Sequence, residues 1–199
     1  MENIKKSKLS AVILAAGKSS RMKFPKPLLE IKGKNITKMI LDKISAAGIK
    51  QVYTVLGAEA ERISGQLKLE GINTIINKEW EHGQISSLKT AINEVGDTAA
   101  AMMVFLIDHP QVEISTIRKL IKEFEAGDYD IVIPEYMGSG GHPVIFRDSV
   151  FSDLMDAPAE AGARAVVKSG KHTLKRVCVE DVFVKQDLDT PEDLALIDV

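Results

Sequence analysis

Short apolar runs rich in Val and Ile alternate along this chain with longer segments whose apolar residues recur at helical spacing. That alternation is the pattern of repeated β-α units around a largely parallel sheet. Strands are expected at Leu9 to Ala15, Gln51 to Leu56, Ile72 to Ile76, Ala101 to Ile107 and Asp130 to Pro134, with a later pair near Pro143 to Phe146 and Leu174 to Val179. Helical stripes fall between them. Ile36, Met39, Ile40 and Ile44 form one, Leu88, Ala91, Ile92 and Val95 another, and Ile114, Ile117, Ile121 and Phe124 a third. The fold expected is α/β, a three-layer Rossmann-like arrangement with a mostly parallel central sheet.

At 199 residues, with no internal repeat, low-complexity tract or linker, residues 1–199 are expected to form one domain. The net charge of −2 and the scatter of Lys and Arg among acids offer no footprint for nucleic acid. A lone cysteine, Cys178, excludes an intramolecular disulfide and any zinc pattern built on cysteines. No segment approaches the roughly 20 apolar residues of a membrane span, and the basic N-terminus does not read as a signal peptide. A cytoplasmic protein with small-molecule partners, and neither nucleic acid nor membrane, is the expectation.

The densest chemistry follows the first strand. Leu14, Ala15, Ala16 and Gly17 bring the chain to the carboxyl edge of the sheet, where ligands of open α/β folds bind. The next residues turn small and basic. Gly17, Ser19 and Ser20 permit close backbone approach, and Lys18, Arg21, Lys23 and Lys26 bring positive charge, which together suit a triphosphate. A solvated basic turn would share that composition. The spacing is neither that of a Walker loop nor that of a dinucleotide fingerprint.

Two acidic elements come later. Asp108 ends the apolar run Ala101 to Ile107 and precedes His109 and Pro110, so its carboxylate is directed to the same crevice. It is a hard oxygen ligand suited to Mg²⁺, or else a helix cap, although Glu113 to Ser115 stand closer to the helix start. His109, without a second metal-binding neighbour, reads as a side chain facing away. Near the C-terminus, Thr190, Pro191, Glu192 and Asp193 suffice to start a helix, leaving Asp187 and Asp189 over. Between these elements, Gly83, Ser86 and Ser87 precede a helix and suit either a cap or a nucleotide contact. Trp80 suits a core position.

The stretch from Leu14 to Gly33 resembles the signature of the MobA/MocA-like nucleotidyltransferases, matching at Leu14 to Gly17, Ser19, Arg21, Met22, Lys26, Leu28, Leu29 and Gly33. Lys23 stands where that family usually has glycine. The resemblance implies the nucleotide-diphospho-sugar transferase fold, with Gly17, Ser19 and Arg21 on the β- and γ-phosphates and Lys26 on the α-phosphate. Lys26, Arg21 and Asp108 would be the catalytic residues, and Asp108 and Asp189 would hold Mg²⁺. The segment with Trp80, Gly83, Ser86 and Ser87 is similar to the family's nucleoside-pocket segment. Gly141, His142, Pro143 and Val144 look like the acceptor-side turn of the cytidylyltransferase branch, and Glu160 to Arg164 resemble its acceptor segment. His142 and Arg164 would therefore meet the acceptor. The family's guanylyltransferases tend to have glycine where Ala16 stands, so CTP is the expected donor. The implied reaction transfers CMP to the terminal phosphate of molybdopterin, releasing pyrophosphate, with transient contact to a molybdenum-enzyme maturation protein. A sugar or alcohol phosphate acceptor, or a non-catalytic cofactor-delivery protein, are the alternatives.

Overall fold

The computed structural model describes residues 8–67 and 72–197. The first half contains strand β1 (Ser10–Ala15), the two-residue strands β2 (Glu30–Ile31) and β3 (Lys34–Asn35), helix α1 (Ile36–Ala46), β4 (Gln51–Leu56), α2 (Ala60–Leu67) and β5 (Asn73–Ile76). Then come α3 (Gln84–Val95), β6 (Ala101–Leu106), α4 (Ile114–Ala126), β7 (Ile131–Tyr136), β8 (Ser139–Gly140) and β9 (Val144–Arg147). Helices α5 (Phe151–Met155) and α6 (Ala163–Lys168), strand β10 (Leu174–Cys178) and helix α7 (Pro191–Ile197) complete the described elements.

The main sheet runs β10-β7-β9-β6-β1-β4-β5, with β8 paired to β7. Strands β5, β4, β1 and β6 are mutually parallel, as are β7 and β10, while β9 runs antiparallel between β6 and β7. Alternate residues of β1 explain the layering. Ala11, Ile13 and Ala15 pack with the apolar faces of α1, α2 and α4. Val12 and Leu14, followed by Ala16, pack with α3, α5 and α6 on the other face. This is a three-layer α/β fold with a mostly parallel sheet. Ile13, Ile36, Ile44 and Ile117 are fully buried, and truncating one such side chain to alanine removes about 2–5 kcal/mol. The sheet is therefore a stiff platform for what its edge carries.

Register sets that edge. Ala15 pairs with Leu56 and Leu14 with Leu106, so the chains leaving β1 and β6 emerge side by side. Three local features differ from the sequence reading. Strand β7 continues through Pro134 to Tyr136, because Pro134 needs no donor there and its carbonyl accepts from Gly141 N–H at 3.0 Å. The buried stripe of α4 is Thr116, Ile117, Leu120 and Phe124, with Leu120 rather than Ile121 at its centre. Helix α4 also takes its cap from a distance: Asp181 Oδ2 accepts from Glu113 N–H and Thr116 Oγ1, each at 2.8 Å. No helix among the described residues is long and apolar enough to cross a membrane.

Candidate active site

The loop leaving β1 is folded on Ser19. Ser19 lies in the left-handed region, its carbonyl accepts from Lys23 N–H at 3.1 Å, and its Oγ accepts from Lys26 N–H at 3.1 Å. Lys23 is itself left-handed, with φ of 57°. The conformation that favours glycine is thus kept despite the lysine, at the cost of local backbone strain. A Cβ built on Gly17 would meet nothing within 4 Å. The loop is open on the side that faces the cleft.

Lys26 is carried from this loop into the interior, and its side chain is only 10% exposed. Its Nζ lies 2.6 Å from Asp189 Oδ1 and 3.2 Å from Asp108 Oδ2. Arg21, on the exposed rim, reaches Asp189 Oδ2 at 2.8 Å. The four charged residues assigned from sequence to phosphate or metal, Arg21, Lys26, Asp108 and Asp189, thus converge at one point, brought from the β1 loop, the end of β6 and the segment before α7. Asp108 Oδ1 is buried and has no hydrogen-bond partner. Such an orphaned anionic oxygen is costly unless something cationic meets it. Two carboxylates, one with a free oxygen, fit an Mg²⁺ or Mn²⁺ ion whose remaining ligands are phosphate oxygens and water. Among the described residues no group of three or more His, Cys, Asp or Glu side chains could hold a metal without such help.

The supports of these carboxylates are local and distant. Asp193 Oδ2 accepts from the N–H groups of Asp189 and Thr190, at 3.0 and 2.8 Å, and Thr190 Oγ1 accepts from Asp193 N–H. These N–H donors hold the Asp193 carboxyl below its ordinary range. Lys43 Nζ donates to Pro110 O at 2.6 Å and so pins the turn after β6; burial lowers its pKa. His109 does not face away. Its ring is buried between Phe183 O, 3.0 Å from Nδ1, and Asp187 Oδ1, 2.8 Å from Nε2. Burial holds the Asp187 carboxyl above its usual range, against the opposing pull of His109.

A cleft of about 390 Å³ opens beside this cluster. Leu14, Ala16, Gly17, Ser19, Arg21, Lys26, Gly83, Ser87 and Asp108 line it; Ala15 points instead into the core behind, and Ser86 stands one residue off the wall. Asn77 holds the far wall, donating through Nδ2 to Ser86 Oγ at 2.8 Å and Ser87 Oγ at 3.0 Å. Trp80 is half-buried rather than core. It lies against Gly57, where any Cβ would collide with Trp80, and it forms part of the cleft wall. Asn77, buried in the loop before α3, and Gln84, exposed at its first position, were not singled out from sequence, since a lone amide near a helix start carries no distinctive pattern. A second cavity, about 520 Å³, shares Leu14, Gln84 and Leu106 with the first and contains His142, Glu160 and Arg164. His142 is fixed there by Val184 O, which accepts from its N–H at 2.8 Å. The same Val184 backbone leaves Gly141 no room for a side chain. Burial lowers the His142 pKa to about 4, so the ring is neutral at pH 7, and its Nδ1 is sealed without a partner.

A profile of the MobA-like NTP transferase domain matches residues 11–177. The chain belongs to that family. Rv0371c from Mycobacterium tuberculosis has a similar structure, with a TM-score of 0.86 at 30% identity over 97% of this chain and 98% of that one. The same protein has been crystallised as a complex with manganese, similar at a TM-score of 0.80 and 26% identity, again over 97% and 98% of the two chains. Among curated relatives, nicotine blue oxidoreductase of Paenarthrobacter nicotinovorans is 26% identical over 94% of each chain. The match to the bifunctional protein GlmU of Staphylococcus epidermidis is partial: 29% identity, spanning 62% of this chain and only 27% of that protein.

Proposed function

We propose that residues 1–199 act as a cytoplasmic, single-domain, divalent-metal-dependent cytidylyltransferase that moves CMP from CTP to the terminal phosphate of molybdopterin. The carrying observation is the meeting of Lys26 with Asp108 and Asp189 beside a cleft that continues into a second cavity. A nucleotidyltransferase needs that arrangement: a polyphosphate on one side, an acceptor on the other and positive charge where they join.

In this reading Gly17, Ser19 and Arg21 bind the β- and γ-phosphates. Asp108 and Asp189 hold the metal, Mg²⁺ being the expected one, and the manganese complex of the related Rv0371c supports a divalent ion. When bound, that ion neutralises phosphate charge and screens the leaving pyrophosphate. Lys26 leaves its carboxylate partners for the α-phosphate and stabilises the charge that grows there. An acceptor phosphate oxygen attacks the α-phosphorus in line, a new P–O bond forms, and the bond to the bridging oxygen of pyrophosphate breaks. The nucleophile is already ionised, so no general base is required. Arg164 binds the acceptor, and neutral His142 orients it.

The choice of CTP rests on Ala16, whose methyl group lies on the cleft wall where glycine would leave more room. Specificity is tested by kcat/KM for CTP, GTP, UTP and ATP with molybdopterin, sugar phosphates and alcohol phosphates, the product being identified by mass. A preference for GTP would overturn the base assignment. Transfer only to a sugar or alcohol phosphate would replace the acceptor, and binding without turnover would favour a delivery protein. The transient contact with a molybdenum-enzyme maturation protein would be sought by chemical cross-linking.

A further inference from the structure

The segment that carries Asp189 has no regular secondary structure between Lys185 and Thr190, yet its carboxylate must stand at a fixed distance from Asp108 if both are to hold one ion. Something has to set that distance. Besides Lys26, which pairs with both carboxylates, two contacts join the segments directly among the described residues. Leu188 N–H donates to Asp108 O at 2.9 Å, and the His109 ring spans from Phe183 O to Asp187 Oδ1. The ring is held at both nitrogens, its side chain is 5% exposed, and it follows Asp108 directly in sequence. Neither His109 nor Asp187 has a task in the transfer described above.

We infer that His109 is a positioning residue: through Asp187 it buckles the Asp189 segment onto the turn after β6 and so fixes the separation of the two metal-holding carboxylates. This rests on the proposed metal role of Asp108 and Asp189. It assigns Asp187 a different part from theirs, that of partner to the histidine rather than ligand. Without the buckle, Leu188 still anchors the segment, being 1% exposed, but Asp189 samples a wider range of positions and the ion is shared less often. Groups that orient ligand side chains commonly alter metal affinity about 10- to 100-fold when lost. Once metal saturates the site, Lys26, Asp108 and Asp189 are all present with their side chains intact, so the rate recovers.

The test is Mn²⁺ binding to the full chain with CTP present and acceptor absent, followed by the free Mn²⁺ signal in electron paramagnetic resonance, together with steady-state kinetics against Mn²⁺. His109→Ala and Asp187→Ala are each expected to weaken Mn²⁺ binding about 10-fold or more, with kcat at saturating Mn²⁺ within about threefold of wild type. The double variant should be no weaker than either single one, since both remove the same link. Asp187→Asn, whose amide can donate to the ring Nε2, should restore most of the affinity. Asp187 is 57% exposed, so its variants remain informative if His109→Ala does not fold. Independent, multiplying effects would overturn the inference. So would a collapse of kcat in Asp187→Asn that metal cannot rescue, which would make Asp187 a ligand itself. If Asp108→Asn leaves wild-type Mn²⁺ binding unchanged, the metal reading beneath it fails instead.

Discussion

The two cavities are joined at Leu14, Gln84 and Leu106 but differ in how completely their charged residues are paired. In the first cleft the charges are already paired: Lys26 with Asp108 and Asp189, Arg21 with Asp189. In the second cavity Arg176 is paired with Glu135, but Arg164, on the exposed rim, has no ion pair among the described residues. In the proposed reaction Lys26 gives up carboxylate partners when ligand arrives, whereas Arg164 gives up no ion partner. Substitutions in the first should therefore disturb metal, nucleotide and rate together; those in the second should act on one substrate alone.

The largest expected effect is that of Asp108→Ala, which removes the carboxylate with the orphaned oxygen. Turnover should be abolished, with the fold retained by circular dichroism; a residual rate above about a tenth of wild type, a loss below ~1.4 kcal/mol, would count against the metal assignment. Lys26→Met comes next and separates the two halves of its task. Its kcat should drop about 10²- to 10³-fold, as for loss of a preorganised charge at the reacting centre. Its affinity for free Mn²⁺ without nucleotide should rise, because the ammonium no longer occupies both carboxylates. A fall in free-metal affinity would break the exchange argument. Arg164→Ala should raise the KM for a phosphorylated acceptor by roughly tenfold and leave the KM for CTP unmoved. Movement of both constants would mean that the cavities are not separable. The smallest change is Ala16→Gly, expected to narrow the CTP to GTP ratio by about 10-fold at most, since one methyl group is worth ~1 to 3 kcal/mol in a snug pocket.

The same division governs what could be read from sequence. The layering was legible because β1 is buried on both faces and its neighbours repeat the pattern. The meeting of Arg21, Lys26 and Asp108 was legible because these residues are chemically unusual for their position, a basic cluster after one buried strand and an aspartate ending another. The direction of β9, set between β6 and β7, was not, since a short apolar run carries no polarity of its own. Asp181 as the cap of α4, Asn77 as the brace of α3 and His109 as a bridge were also hidden. Asp181 and His109 act across long sequence separations, and a single polar residue in a loop, such as Asn77, does not announce its partner. Trp80 was drawn to the cleft wall by Gly57, a close approach that only the packed structure reveals.

The central claim is that the chain transfers a nucleoside monophosphate, and the position of the transferred phosphorus tests it most directly. With CTP labelled at the α- or the γ-phosphate and a phosphorylated pterin acceptor, the account predicts that only the α-label enters the acceptor. One pyrophosphate should be released per product, and both should vanish in Asp108→Ala. Label reaching the acceptor from the γ-phosphate, or product formed equally well by Asp108→Ala, would contradict it.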